Sequence, residues 1–178
     1  MLRERVAALG LGDLIETRVE SMDALSVEEG SVALVWSEGA AFTVGLENAL
    51  THWRPLLKPG GMVALSDFAW VGPQRPAEAV ALFDACYDGL APMPDVGAMI
   101  TTAERCGYRP EAHFVMPESD WWDEYYVGLT ARLETLRPEA AGDEALSGLI
   151  DRCEQEREVV RKYPQAFGYV FMILRTPL

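Results

Sequence analysis

The sequence predicts an α/β fold with a mainly parallel sheet. Short stretches that are apolar at almost every position indicate buried strands: Val32 to Trp36, Met62 to Ser66 and Gly168 to Arg175. Stretches with apolar residues at helical spacing alternate with them, as in Leu46 to Leu57. Such alternation is typical of parallel sheets with helices against their faces. No repeat or change of composition divides the chain, so residues 1–178 are predicted to form a single domain.

The segment up to residue 57 supplies two strands and two helices. Leu2 to Leu9 is predicted to form a short helix that Gly10 ends. Ile15 to Glu20 alternates in hydropathy and predicts a strand. The buried strand Val32 to Trp36 follows a polar turn. In the helix Leu46 to Leu57, the proline at position 55 is expected to kink the last turn.

The second half is richer in helices. Apolar spacing and helix-breaking residues predict three of them: Ala79 to Tyr87, Met99 to Cys106, and Asp143 to Tyr163. Tyr108 to Met116 has the pattern of a strand. Ser119 or Asp120 is expected to cap a helix that continues to Leu133 and that Pro138 breaks.

Composition excludes several classes of function. The 178 residues carry a net charge of −13, which argues against a nucleic-acid or anionic-membrane partner, because phosphates favour Lys and Arg. The three cysteines are far apart and form no CxxC pair, so neither a disulfide framework nor a zinc site is predicted. The chain starts without the apolar core of a signal peptide, and no apolar run approaches about 20 residues. These features predict a cytoplasmic protein.

Two strand ends are polar, and aromatic residues follow them along the chain. Ser37, Glu38 and Gly39 follow one strand, and Ser66 and Asp67 end the next. Ligands of open α/β sheets bind outside the carboxyl ends of the strands, so a binding site is predicted there. Asp67 and three aromatic residues are candidates to contact a substrate, the aromatic ones being Trp70, Trp121 and Tyr125. The alternative is that these rings pack in the core.

Several segments together resemble a known family. "SMDAL" precedes an acidic turn and a strand, "WSEGA" precedes a helix, "LKPGG" precedes a buried strand, and "AERCGY" precedes another strand. In this order they resemble the second half of class I S-adenosylmethionine-dependent methyltransferases. The resemblance implies a Rossmann-like three-layer sheet with an antiparallel C-terminal strand. It also implies a helical insertion at about 118–163, between the family's sixth and seventh strands.

The resemblance implies S-adenosylmethionine as cofactor and a small molecule as methyl acceptor. Ser37, Glu38 and Gly39 correspond to the segment that meets the cofactor's methionine end. Backbone groups of Ser21 and Met22 correspond to the adenine contact, and Asp23 lies two residues after the position of the family's adenine-side acid. The alternatives are that Glu38 is an acid at a helix start and that Asp23 is a turn residue. Methyl transfer mainly requires alignment of the reactants, so no catalytic residue is assigned.

The chain departs from this family at its N-terminal side. The family's Gly-rich turn and ribose-binding acid lie upstream of the matching segments, and Gly10-Leu11-Gly12 follows a helix, which indicates a helix stop. The sheet is therefore expected to be incomplete and the domain truncated, whether the gene product is short, the natural protein is longer, or the chain is a fragment. An open strand edge invites pairing, so a homodimer is predicted. A dimeric remnant that no longer binds the cofactor is the alternative function.

Overall fold

The computed structural model describes residues 2 to 86 and 92 to 178, and their strands form one mixed sheet. The strands are β1 (Val32–Glu38), β2 (Leu57–Trp70), β3 (Arg109–Val115) and β4 (Phe167–Arg175), in the spatial order β1-β2-β4-β3. β1 and β2 are parallel, whereas β4 is antiparallel to both of its neighbours. Three strands therefore share one direction, which confirms the predicted mainly parallel sheet with an antiparallel C-terminal strand.

Seven α-helices connect or flank these strands in the described part of the chain. They are α1 (Leu2–Ala8), α2 (Leu46–Trp53), α3 (Ala77–Cys86), α4 (Val96–Arg105), α5 (Glu118–Trp121), α6 (Val127–Ala140) and α7 (Glu144–Lys162). Where a kinked last helical turn was predicted at Pro55, α2 ends at Trp53 and a 3₁₀ turn that contains Pro55 follows. The predicted helix start at Asp143 is confirmed, because its carboxylate accepts the backbone N–H of Leu146 at 3.0 Å.

One face of the sheet is covered by α2 and α4. Leu50 and Met99 from these helices pack with Val63 of β2 and Met172 of β4, and all four side chains are fully inaccessible. Burial of such a side chain contributes about 1.5–3 kcal/mol, so this cluster is a main source of stability.

The opposite face is covered over only part of its area. Near the end of β2, helices α3 and α7 bury Phe83 and Val160 against Trp70 and Phe167. Farther along the same face, Leu34, Trp36 and Phe114 are 48%, 62% and 50% exposed. The predicted burial of Val32 to Trp36 is therefore wrong, although the strand exists. β1 is an edge strand, and no helix among the described residues covers its outer side chains.

The strand predicted at residues 15–20 is not formed. None of the strands in the described part of the chain pairs with these residues. Val19 is 89% exposed, and the Arg18 guanidinium instead binds the Glu16 carboxylate and the Ser26 carbonyl. Contact with the core begins only after this segment, at Met22 and Leu25.

The helical segment after β3 differs from prediction in three details. Pro117, not Ser119 or Asp120, precedes the first turn, and no side chain caps it. The segment starts with α5, passes through a π-helical turn at Trp122–Tyr126, and continues as α6. Pro138 lies inside the last turn of α6. The helix continues past it for two residues, to Ala140, so Pro138 does not break the helix. The predicted helix end at Tyr87 lies outside the described residues.

Candidate functional site

A cleft of about 330 Å³ opens at the carboxyl ends of β1 and β2. Residues from the sheet form its floor, and residues from the helices between β3 and β4 form its wall. The lining residues are Glu38, Gly39, Ser66, Phe68, Met116, Asp120, Tyr125, Tyr126, Glu156 and Tyr169. The cleft thus lies where ligands of open α/β sheets bind.

Gly39 allows the chain to leave β1 close to the cleft floor. Its φ of 54° lies in the left-handed region, and its N–H donates to the Ser66 carbonyl at 2.8 Å. A Cβ at this position would lie 3.4 Å from the Tyr169 ring. Glycine is therefore favoured by the backbone conformation, and a methyl group added there would lie in van der Waals contact with the Tyr169 ring.

The cleft's aromatic rings come from two sides. On the floor, Phe68 and Tyr169 have ring centroids 4.1 Å apart. On the wall, Tyr125 and Tyr126 meet edge to face at 5.0 Å, and the Tyr126 hydroxyl donates to the Glu156 carboxylate at 2.7 Å. Burial raises the pKa of Tyr169 to about 12 and also raises the pKa of Tyr126, so both phenols are neutral near pH 7.

Asp67 lies beside this cleft but does not line it. Its side chain is only 5% exposed and accepts the backbone N–H groups of Phe68, at 2.9 Å, and of Phe42. Burial raises the pKa of this carboxyl to about 6, against the opposing effect of the two hydrogen bonds. Because Phe42 belongs to the 3₁₀ turn after Gly39, Asp67 fastens that turn to β2.

The Ser21–Asp23 turn is held against α2. The Asp23 carboxylate accepts from the Ser21 hydroxyl and from the Asn48 amide, and the Ser21 contact is the larger cause of its lowered pKa. The Met22 carbonyl accepts Trp53 Nε1 at 2.8 Å. The Met22 sulfur also lies 4.0 Å from the Thr43 hydroxyl, which links this turn to the segment after Gly39.

The structure brings some of the predicted site residues together and separates others. Glu38, Gly39 and Tyr125 line the cleft, and Ser37 immediately precedes it in β1. Trp70 instead packs in the core against Phe83 and Phe167, beneath Arg75. Trp121 ends α5, and its side chain lies outside the described part of the structure.

Tyr169 and Glu156 were missed by the sequence analysis. Tyr169 was counted within an apolar strand, although it is a polar-tipped residue at the strand's start. Antiparallel pairing places it opposite Phe68, near the carboxyl end of β2. Glu156 lies in the predicted helix Asp143 to Tyr163. It precedes the buried Val159 and Val160 by three and four residues, which places it on their side of the helix.

The described residues contain no group of three or more His, Cys, Asp or Glu side chains placed to hold a metal ion. Within the same residues, no helix combines the length and the apolar character needed to cross a bilayer.

Comparison with solved structures identifies the fold. A proposed sarcosine dimethylglycine methyltransferase from Galdieria sulphuraria superposes with a TM-score of 0.79 at 21% identity, over 98% of this chain and 64% of the other. The [4+2]-cyclase SpnF gives 0.75 at 13%, over 99% and 61%. Geranyl diphosphate C-methyltransferase from Streptomyces coelicolor A3(2), solved with Mg²⁺, geranyl diphosphate and S-adenosylhomocysteine, gives 0.64 at 16%, over 97% and 56%.

The chain therefore has the fold of class I S-adenosylmethionine-dependent methyltransferases. It spans about three fifths of the length of the solved proteins it matches, which agrees with an incomplete sheet. No protein-family model matches the sequence, and neither does any curated protein. The fold alone does not fix the activity, as the presence of a cyclase among these proteins illustrates.

Proposed function

We propose that this chain carries part of the active site of an S-adenosylmethionine-dependent methyltransferase that acts on a small molecule. The main support is the cleft at the carboxyl ends of β1 and β2. Solved proteins with the same fold include complexes with S-adenosylmethionine or S-adenosylhomocysteine. A cleft of about 330 Å³ is small, which supports a small acceptor.

The residues present fit one side of the cofactor. Glu38 and Gly39 border the cleft and would hold the ammonium group of the cofactor's methionine end. Met22 would offer its backbone N–H to the adenine, since its carbonyl already accepts from Trp53 Nε1. The Asp23 carboxylate already accepts two hydrogen bonds within the chain, so its role toward the cofactor is to hold this turn in place. The cofactor itself would supply a methyl group on a sulfonium. The chain's own contribution is to position the reactants and to exclude water.

Binding of S-adenosylhomocysteine, measured by calorimetry, tests this proposal. Micromolar, saturable binding to the 178-residue chain is expected. Gly39→Ala should weaken it, because the new methyl group would narrow the cleft beside Tyr169. Gly30→Ala is the matched control: Gly30 has a similar φ of 63° but nothing within 4 Å of its Cβ position, so affinity should not change. Absence of heat at millimolar ligand would refute the proposal for this chain.

The alternative, a non-catalytic dimeric remnant, is favoured by one observation. Edge strand β1 presents Leu34 and Trp36 to solvent, and two copies could pair there to continue the sheet. A homodimer is also compatible with the methyltransferase proposal, so its presence alone does not decide between the two functions. Loss of cofactor binding together with stable dimerisation would favour the remnant.

Sedimentation equilibrium tests the homodimer. The wild-type chain should show a dimeric mass at micromolar concentration. Trp36→Glu should shift it to the monomer, because a carboxylate would replace the apolar cross-strand contact that Trp36 would make with the partner's edge strand. Val115→Glu is the control, since Val115 is 49% exposed but lies on β3 at the other edge of the sheet. A monomeric wild type would contradict the homodimer.

A further inference from the structure

The cleft is lined by aromatic rings and by carboxylates. Its ring-bearing residues are Phe68, Tyr125, Tyr126 and Tyr169, and its ionisable side chains besides the phenols are all carboxylates. No Lys, Arg or His is among the described residues that line it. An anionic ligand group would therefore meet carboxylates without a compensating positive charge, which is costly in a partly enclosed site.

The faces of these aromatic rings favour a cationic ligand group. A cation within about 6 Å of an aromatic face is attracted by the ring's electron density, and several rings around one volume increase that attraction. Floor and wall rings border the same cleft here, and each side forms a closely packed pair, at 4.1 Å and 5.0 Å. The pKa of Tyr125, like that of Tyr169, is raised by burial, so these phenols keep their hydroxyl protons near pH 7.

Carboxylates add to this field from two sides. Glu38 lies at the end of β1, where its carboxylate accepts Trp36 Nε1 at 2.7 Å. Glu156 lies on α7 and accepts the Tyr126 hydroxyl. The nearest arginines along α7 contact other groups: Arg157 donates to the Thr130 hydroxyl at 2.9 Å, and Arg161 stacks over Trp122 at 5.7 Å. Neither arginine lines the cleft.

We propose that the cleft binds a small alkylated ammonium group that bears no carboxylate or phosphate beside it. The proposal deepens the proposed function and rests on it for the identity of the cation, which is the amine of the methyl acceptor. The positive charge of such a group is spread over methyl or methylene groups, which ring faces recognise without hydrogen bonds.

Choline is the probe, titrated into the full chain and followed by calorimetry and by shifts of the tyrosine ring signals in NMR. Its uncharged isostere 3,3-dimethylbutan-1-ol and its carboxylate-bearing analogue glycine betaine are the ligand controls. Choline should bind at least about fivefold more tightly than either. Equal binding of choline and the isostere, or no choline binding at 50 mM, would overturn the proposal.

Variants of one exposed ring test the mechanism. Tyr125 is 54% exposed, so its replacement should not disturb folding. Tyr125→Leu should weaken choline binding at least about fivefold, whereas Tyr125→Phe should change it by less than about twofold. Phe114→Leu, at a ring 50% exposed outside the cleft, is the matched control and should have no effect. Equal losses for Leu and Phe at position 125 would contradict recognition by the ring face.

Competition tests whether the cation belongs to the acceptor. Simultaneous binding of choline and S-adenosylhomocysteine assigns the cleft to an acceptor amine. Displacement of choline by S-adenosylhomocysteine would assign the cleft to the cofactor and would overturn the proposal. If choline binds while neither cofactor form binds, the cation site stands and the proposed methyltransferase function of this chain fails.

Discussion

The buried carboxyl of Asp67 should make the stability of the protein depend on pH. Its pKa is raised by burial from the ordinary 3.8 to about 6 in the folded chain. Between these two values the folded state binds more protons than the unfolded state, so the free energy of unfolding falls as pH rises. The stabilisation is fully present below pH 3.8 and is lost above about pH 6.

The magnitude follows from the size of that difference. At about 1.36 kcal/mol for each pH unit, the change from 3.8 to about 6 corresponds to about 3 kcal/mol. Asp67→Asn removes the titration while retaining an oxygen that can accept from the backbone N–H groups of Phe42 and Phe68. The difference in unfolding free energy between variant and wild type should therefore shift by about 3 kcal/mol in the variant's favour from about pH 4 to pH 7.

Urea denaturation, followed by tryptophan fluorescence at several pH values, measures this difference. Comparison with the variant cancels the contributions of the other carboxyl groups. Asp151→Asn, on the exposed surface of α7, is the control for the effect of the substitution itself. An Asp67→Asn difference that is the same at pH 4 and pH 7 would refute the argument from burial.

Three further predictions concern stability. Gly39→Ala should lower the free energy of unfolding by about 1 kcal/mol, measured in urea, because φ is 54° there. Trp53→Phe leaves the Met22 carbonyl without its indole donor, and should cost about 1 kcal/mol and speed amide exchange in that turn. Asp143→Ala removes the cap on Leu146 and should lower the melting temperature, at a cost of about 1 kcal/mol; no change would argue against the cap.

The sequence was informative where local pattern and local structure coincide. The helix that starts at Asp143 was predictable from a capping residue and spacing, and the strand around Met62 to Ser66 from its apolar run. Whether a strand is buried depends on its neighbours. Val32 to Trp36 has the composition of an interior strand, yet it is an edge in the described structure, and Ile15 to Glu20 has no strand beside it.

The cleft was only partly predictable for a related reason. Glu38 and Gly39 follow a strand directly, so their position could be inferred from the general rule for strand ends. Tyr169 reaches the same place only because β4 returns antiparallel beside β2, and Glu156 only because α7 packs over that end of the sheet. Both positions depend on contacts between segments far apart in sequence, which neither periodicity nor local spacing encodes.

The position of β4 has a consequence for how the chain folds. It is the last strand in the sequence but lies in the interior of the sheet, between β2 and β3. Until it is synthesised, β2 has only β1 to pair with, and β3 has no partner strand among the described residues. The sheet must therefore assemble after translation of most of the chain, through contacts distant in sequence, which predicts slow folding and a long exposure of unpaired strands to chaperones or to aggregation.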